Sequence, residues 1–192
     1  TGPDSAGAIQ LLFLTGSATP KISVRSNAQL INGTIDAATG AWVHVAVARS
    51  GSSLKLFVDG VQSGSTATTS TNFANGATNG VTIGRYATVA SGHFKGFLSN
   101  IRVLKGTALY TANFTPPTRE LTNVTNTKLL CCQSPTSAIE GAVKPGTITA
   151  AGNAAATNFN PFTTDINAVR GQESGYCTWN PLVVTSNNSL SN

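Results

Sequence analysis

The sequence predicts an all-β chain, a two-sheet antiparallel jelly-roll sandwich followed by an extended C-terminal arm. Three observations carry this. Apolar residues recur with period two or in short continuous runs, and no stretch keeps an apolar stripe of helical period for three turns. Only 10% of the 192 residues are charged, well under the roughly 25% usual for soluble domains. Thr, Ser, Asn, Gly and Ala take their place, and small polar and β-branched residues suit strands and tight turns better than helices. Finally, turn clusters such as Thr15-Gly16-Ser17, Ser50-Gly51-Ser52 and Asn79-Gly80 separate the apolar runs at the spacing of a sandwich or barrel.

Taken in order, the strands are expected at residues 9–14, 21–25, 29–35, 42–49, 54–58, 61–63, 81–86 and 94–104. The run AWVHVAVAR (residues 41–49) is nearly apolar on both faces and reads as a central strand covered on both sides. The segment LKLFVDGVQSG (54–64) is a β-hairpin, because Asp59-Gly60 supplies the two positive-φ positions of a type I′ turn. Alternation puts Leu54, Leu56 and Val58 on one face of it and Lys55, Phe57 and Asp59 on the other. After about Leu121 the texture changes. Residues 126–133 (NTKLLCCQ) still have a strand pattern and 146–152 a weaker one, amid prolines and small residues. The chain is therefore divided into a jelly roll over 1–133 and a docking arm over 134–192. Phe159, Phe162, Tyr176 and Trp179 anchor that arm to a surface, since large aromatic groups gain most from burial.

Charge and cysteine usage exclude several classes. Twelve Lys and Arg against seven Asp and Glu give a net charge of +5. The basic residues stand singly, with no basic run and no interleaved aromatics, so nucleic acid is not an expected partner. No run approaches the roughly 20 apolar residues of a membrane span, and no basic-then-apolar leader precedes the first strand. The three cysteines Cys131, Cys132 and Cys177 make no disulfide framework, which points to synthesis in a reducing compartment. Neighbouring strand residues face opposite ways, so Cys131 and Cys132 are expected to be poor partners for one another. The chain lacks methionine, as after trimming of an initiator or as part of a longer polypeptide.

The set AWVHVAVARSGSSLKLFVDGVQSG, VTIGRY and KGFLSNIRVLKGTALYTANFTPPT resembles the laminin-G-like, concanavalin-A-like lectin/glucanase superfamily over roughly residues 9–121. The resemblance implies two packed antiparallel sheets. It also implies one or two strands ahead of the point where this sequence starts, leaving an edge for residues 127–133 or a neighbouring subunit to cover. The segments YTANFTPPT, TKLLCCQ, AATNFNPF and VRGQESGYCTWNPL further resemble segments of virion proteins of marine cyanobacterial viruses. That likeness implies a structural or adhesion component of a bacteriophage particle, such as a tail fibre or another virion-surface protein. Such a component assembles in the host cytoplasm, pairs with other virion subunits as a homo-oligomer and contacts host surface glycans. A carbohydrate-binding module of a bacterial surface protein is the alternative.

Catalysis is not expected. Glycoside hydrolysis needs two carboxylates flanking the bond, and the superfamily's glucanases carry them on one strand. Here Ser99 and Asn100 stand where relatives often place acids, and Asp59 belongs to a turn. The histidines, His44 and His93, form no triad: His44 reads as a hydrogen-bonded core residue and His93 as a loop residue. No zinc spacing occurs. Calcium is implied only by the resemblance, with Asp36 near a suitable loop and no second acid beside it. No cofactor is expected. Asn72, Tyr86 and His93 are the candidate ligand-facing loop residues, with Phe73 expected to plug the core.

Overall fold

A computed structural model of the chain describes residues 9–14, 19–26, 28–37, 40–73, 81–85 and 92–162. Among the described residues there are ten strands and no helix, and every strand pair is antiparallel. The all-β sandwich is thus the architecture found.

The first sheet is a meander of β1 (Gln10–Leu14), β2 (Lys21–Ser26) and β3 (Ala28–Asp36), with β2 in the middle. The second holds β4 (Val45–Ser50), β5 (Ser53–Val58) and β6 (Val61–Gln62), with the short β7 (Ala67–Thr68) also pairing with β5. The two sheets meet through one core. Ile22, Val24, Ile31 and Ala37 from the first pack with Leu54, Leu56 and Val58 from the second, rimmed by Phe13, Val45, Val47 and Phe73. Each fully buried large aliphatic group contributes about 1.5–3 kcal/mol, so this contact joins the layers. A polar clasp reinforces it. The buried Ser63 Oγ accepts hydrogen bonds from the Thr34 and Ile35 N–H groups, each at 2.9 Å.

The hairpin forms as its turn residues dictate. Asp59 and Gly60 have φ of 48° and 79°, the two positive values of a type I′ turn. β5 is buried on both faces. Leu54, Leu56 and Val58 enter the core, while Phe57 on the opposite face meets the Phe114 ring at 5.5 Å. The chain around Phe114 lies against this outer face, with the Phe114 N–H bonded to the Gly60 carbonyl at 2.9 Å. A Cβ at Gly60 would sit 1.9 Å from the Phe114 oxygen, so the approach requires glycine.

β4 corrects one expectation. Its residues are covered on both faces, yet it pairs only with β5 and stands at the edge of its sheet among the described residues. Apolar residues on both faces report cover above and below; they do not count neighbouring strands. Here the cover on one face is the core and on the other the Tyr110–Phe114 segment.

The third sheet is β8 (Ile101–Leu104), β9 (Thr127–Cys131) and β10 (Gly141–Val143), in the order β10-β9-β8. β9 fills the middle of this sheet, not the edge of the first one. β10 comes from the stretch assigned to the arm, whereas residues 146–152 form no strand. The strand expected from residue 94 starts only at Ile101, because Asn100 takes a positive φ of 53° that breaks the ladder. Residues 81–85 carry no strand either. The Gly84 carbonyl accepts instead from the Phe94 N–H at 2.7 Å. Tyr86, Cys177 and the turns at 15–17 and 79–80 lie, wholly or in part, outside the described residues.

Candidate binding surface

The most distinctive surface feature is a trio of aromatic rings. Trp42 lies just before β4, Phe97 in the extended stretch ahead of β8, and Phe159 in the arm. The Phe97 and Phe159 ring centroids are 4.8 Å apart at 69°, and Trp42 reaches Phe159 at 5.3 Å and Phe97 at 6.5 Å. These are the tilted and edge-to-face arrangements that aromatic pairs favour. Yet Phe97 and Phe159 are 57% and 54% exposed. Leu98, Val81 and Ile83 are further large apolar residues open to solvent. Exposed apolar surface of this kind marks a contact site when it is contiguous. The arm segment is shaped locally. The Phe159 N–H donates to Thr157 Oγ1 at 3.3 Å and the Phe162 N–H to Asn160 Oδ1 at 2.9 Å, the side-chain turns that Thr and Asn provide.

Next to Phe159 along the chain, Asn160 and Phe162 face Thr118, Arg119 and Glu120 across an open crevice of about 390 Å³. Asn100 anchors Leu121, the residue after Glu120. Its Oδ1 accepts from the Leu121 N–H and from Gln133 Nε2, both at 2.9 Å, and Gln133 Nε2 also reaches the Leu121 carbonyl at 2.8 Å. The crevice is thus lined by one aromatic ring, an amide, a hydroxyl and two opposite charges.

His44 sits elsewhere, beneath the Tyr110–Phe114 segment. Its ring meets Phe114 at 5.5 Å and Tyr110 at 6.2 Å, both edge-on, while those two rings stack at 3.6 Å. Burial is the largest cause holding its pKa below the ordinary value; Asp59 pulls upward and Arg102 adds to the lowering. From the sequence it is expected as a core histidine with its ring nitrogens hydrogen-bonded; the residue is half-buried, and the bond it makes to Asp59 Oδ1, at 2.8 Å, comes from its backbone N–H. Ring Nδ1 is instead buried with no hydrogen-bond partner among the described residues, which corrects that expectation.

The sequence-predicted residues are placed as follows. Asn72 and His93 are both exposed, and no hydrogen bond or ring contact joins them. Phe73 packs on the core with the Arg49 guanidinium 4.8 Å above its ring. Tyr86, Tyr176 and Trp179 lie outside the described residues, whereas Phe159 and Phe162 form part of the surface above. Asp36, the calcium candidate, pairs with Lys21 at 3.3 Å. Among the described residues no three His, Cys, Asp or Glu groups converge as metal ligands. Trp42 and Phe97 were not singled out from the sequence. The available signal was Phe94 and Phe97 in a Gly-rich run too polar to form a buried strand.

The described residues define the class of protein as an antiparallel all-β sandwich. Residues 2–111, more than half of the chain, match the model of the Concanavalin A-like lectin/glucanases superfamily, and the chain belongs to that family. Its domains bind carbohydrate or serve as structural parts. The searches of curated proteins and of solved structures returned no match.

Proposed function

We propose that this chain is a non-enzymatic structural and adhesion component of a bacteriophage particle, on a tail fibre or another virion surface, assembled in the host cytoplasm. Its partners are further copies of itself, other virion subunits and host surface glycans. The observation that carries this reading is the Trp42–Phe97–Phe159 cluster, in which Phe97 of the body and Phe159 of the arm stay more than half exposed beside a part-buried Trp42. Rings of this size gain free energy when a second surface covers them. The low charge supports the same reading, because it leaves few groups whose desolvation opposes packing. The phage setting rests on the resemblance of YTANFTPPT, TKLLCCQ, AATNFNPF and VRGQESGYCTWNPL to virion-protein segments.

The test is the oligomeric state by light scattering of the full chain and of Phe97→Asp. The reading expects a discrete oligomer for the unaltered protein and a monomer for Phe97→Asp with the same unfolding midpoint. A monomeric unaltered protein overturns it. The crevice of Arg119, Glu120, Asn160 and Phe162 favours a second reading, a free-standing carbohydrate-binding module. That reading expects a monomer that binds a glycan and loses it with Arg119→Ala. In both readings, release of reducing ends from glucans stays at the buffer level.

A further inference from the structure

Adjacent strand residues point to opposite faces, so Cys131 and Cys132 are expected apart. The structure shows the reverse. Cys132 follows β9 and takes a φ of 61°, a region that side chains other than Gly, Asn and Asp seldom enter. The turn swings its thiol to the side of its neighbour, and the two sulfurs lie 3.8 Å apart. The conformation is held from outside. The Cys132 carbonyl accepts from the Asn100 N–H at 3.0 Å and from Ser99 Oγ at 3.4 Å. Gly141, paired with Cys131 across the ladder, leaves the room needed: a Cβ there would lie 3.1 Å from the Cys131 Cβ. Cys131 is buried and Cys132 half-buried.

We propose that Cys131 and Cys132 form a reversible thiol–disulfide exchange site for small-molecule disulfides, with Cys132 as the attacking thiol and Cys131 as the resolving one. Cys132 is the more exposed of the two; the Sγ–Sγ contact holds its thiol down at about 7, while that contact and burial push the Cys131 thiol up. The thiolate, not the thiol, is the nucleophile. Cys132 attacks one sulfur of the small disulfide; the new bond forms as the reagent's S–S bond breaks, and one thiolate leaves. Cys131 then gives its proton to water and attacks the Cys132 sulfur, expelling the second thiolate. The protein dithiol loses two electrons and two protons, and the small disulfide becomes two thiols. Adjacent Cα atoms are about 3.8 Å apart across a trans peptide, under the roughly 4.4–6.8 Å span of ordinary disulfides. Strained bridges are the easily reduced ones, so the product is a labile, reversible mark and no structural staple.

The test uses the full chain with Cys177→Ser, reduced and then exposed to oxidised glutathione at neutral pH, read by intact mass and peptide mapping. The expected main product has lost two hydrogens between residues 131 and 132, retains no glutathione and is restored by dithiothreitol. Cys131→Ser halts at a single glutathione adduct on Cys132. In the reduced protein, Cys132 alkylates about tenfold faster than Cys131, and in denaturant that preference disappears. A product that is an intermolecular dimer, a dithiol left unoxidised, or equal alkylation rates in the native protein would overturn the proposal.

Discussion

Asp59 and His44 hold each other through two reciprocal hydrogen bonds: the Asp59 N–H donates to the His44 carbonyl at 2.8 Å, and the Asp59 side-chain Oδ1 accepts from the His44 N–H at 2.8 Å. A turn residue thereby closes the open end of the β4–β5 ladder, just where the chain enters β4.

The first prediction concerns this turn. Asp59→Asn keeps both the acceptor and the tolerance for positive φ, so its urea midpoint should match that of the unaltered protein. Asp59→Ala loses the acceptor and should cost about 1–2 kcal/mol. Gly60→Val adds positive-φ strain of about 1–3 kcal/mol to its clash with the Phe114 carbonyl. It should unfold at a far lower denaturant concentration than either Asp59 variant. A Gly60→Val protein with the normal midpoint would contradict this account of the turn.

The second concerns Ser63, whose single oxygen satisfies two successive N–H groups of β3. Ser63→Ala leaves both donors without that acceptor and should cost about 1–3 kcal/mol, measured by urea unfolding. Amide exchange at Thr34 and Ile35 should accelerate more than at Leu56. Unchanged exchange at those two amides would show the clasp to be unimportant.

The third concerns pH. His44 has a depressed pKa in the folded chain, chiefly through burial. The unfolded chain takes up the proton first, near pH 6.5, so between that pH and the lower folded value it binds more protons. Stability is therefore full above about pH 6.5, declines as pH falls below it, and levels off under the folded pKa. Part-exposure keeps the slope a fraction of the one-proton limit of about 1.4 kcal/mol per pH unit. His44→Phe should flatten this part of the stability profile. The same slope in the variant would assign it to another group.

The fourth concerns the arm. In a Trp179→Phe background, Phe159→Ala should shift Trp42 emission to the red and raise its quenching by acrylamide. The unfolding midpoint should move by less than about 0.5 kcal/mol, as for other exposed positions. Deleting residues 153–192 should give the same spectral change in a soluble, folded jelly roll. Unchanged Trp42 emission in both variants would show that Phe159 does not cover Trp42 in solution.

The sequence by itself determined the features that depend on near neighbours. Asp59-Gly60 set the hairpin and its register, alternation sent Leu54, Leu56 and Val58 to one face and Phe57 to the other, and the strands of the first sheet fall within a residue or two of their expected limits. Side-chain alternation and turn chemistry are local, so they can be read along a line of residues. The tertiary structure alone decided which strands lie side by side. It left β4 at an edge, put β9 between β8 and β10, and started β8 late. It also brought Trp42, Phe97 and Phe159 together from three distant parts of the chain. Asn100 and Cys132 show why these could not be foreseen. Each takes a positive φ that is tied into contacts with residues some 20 to 30 positions away. Alternation fails where such long-range bonds outweigh the local preference for extended backbone, and there the two thiols were turned to the same side.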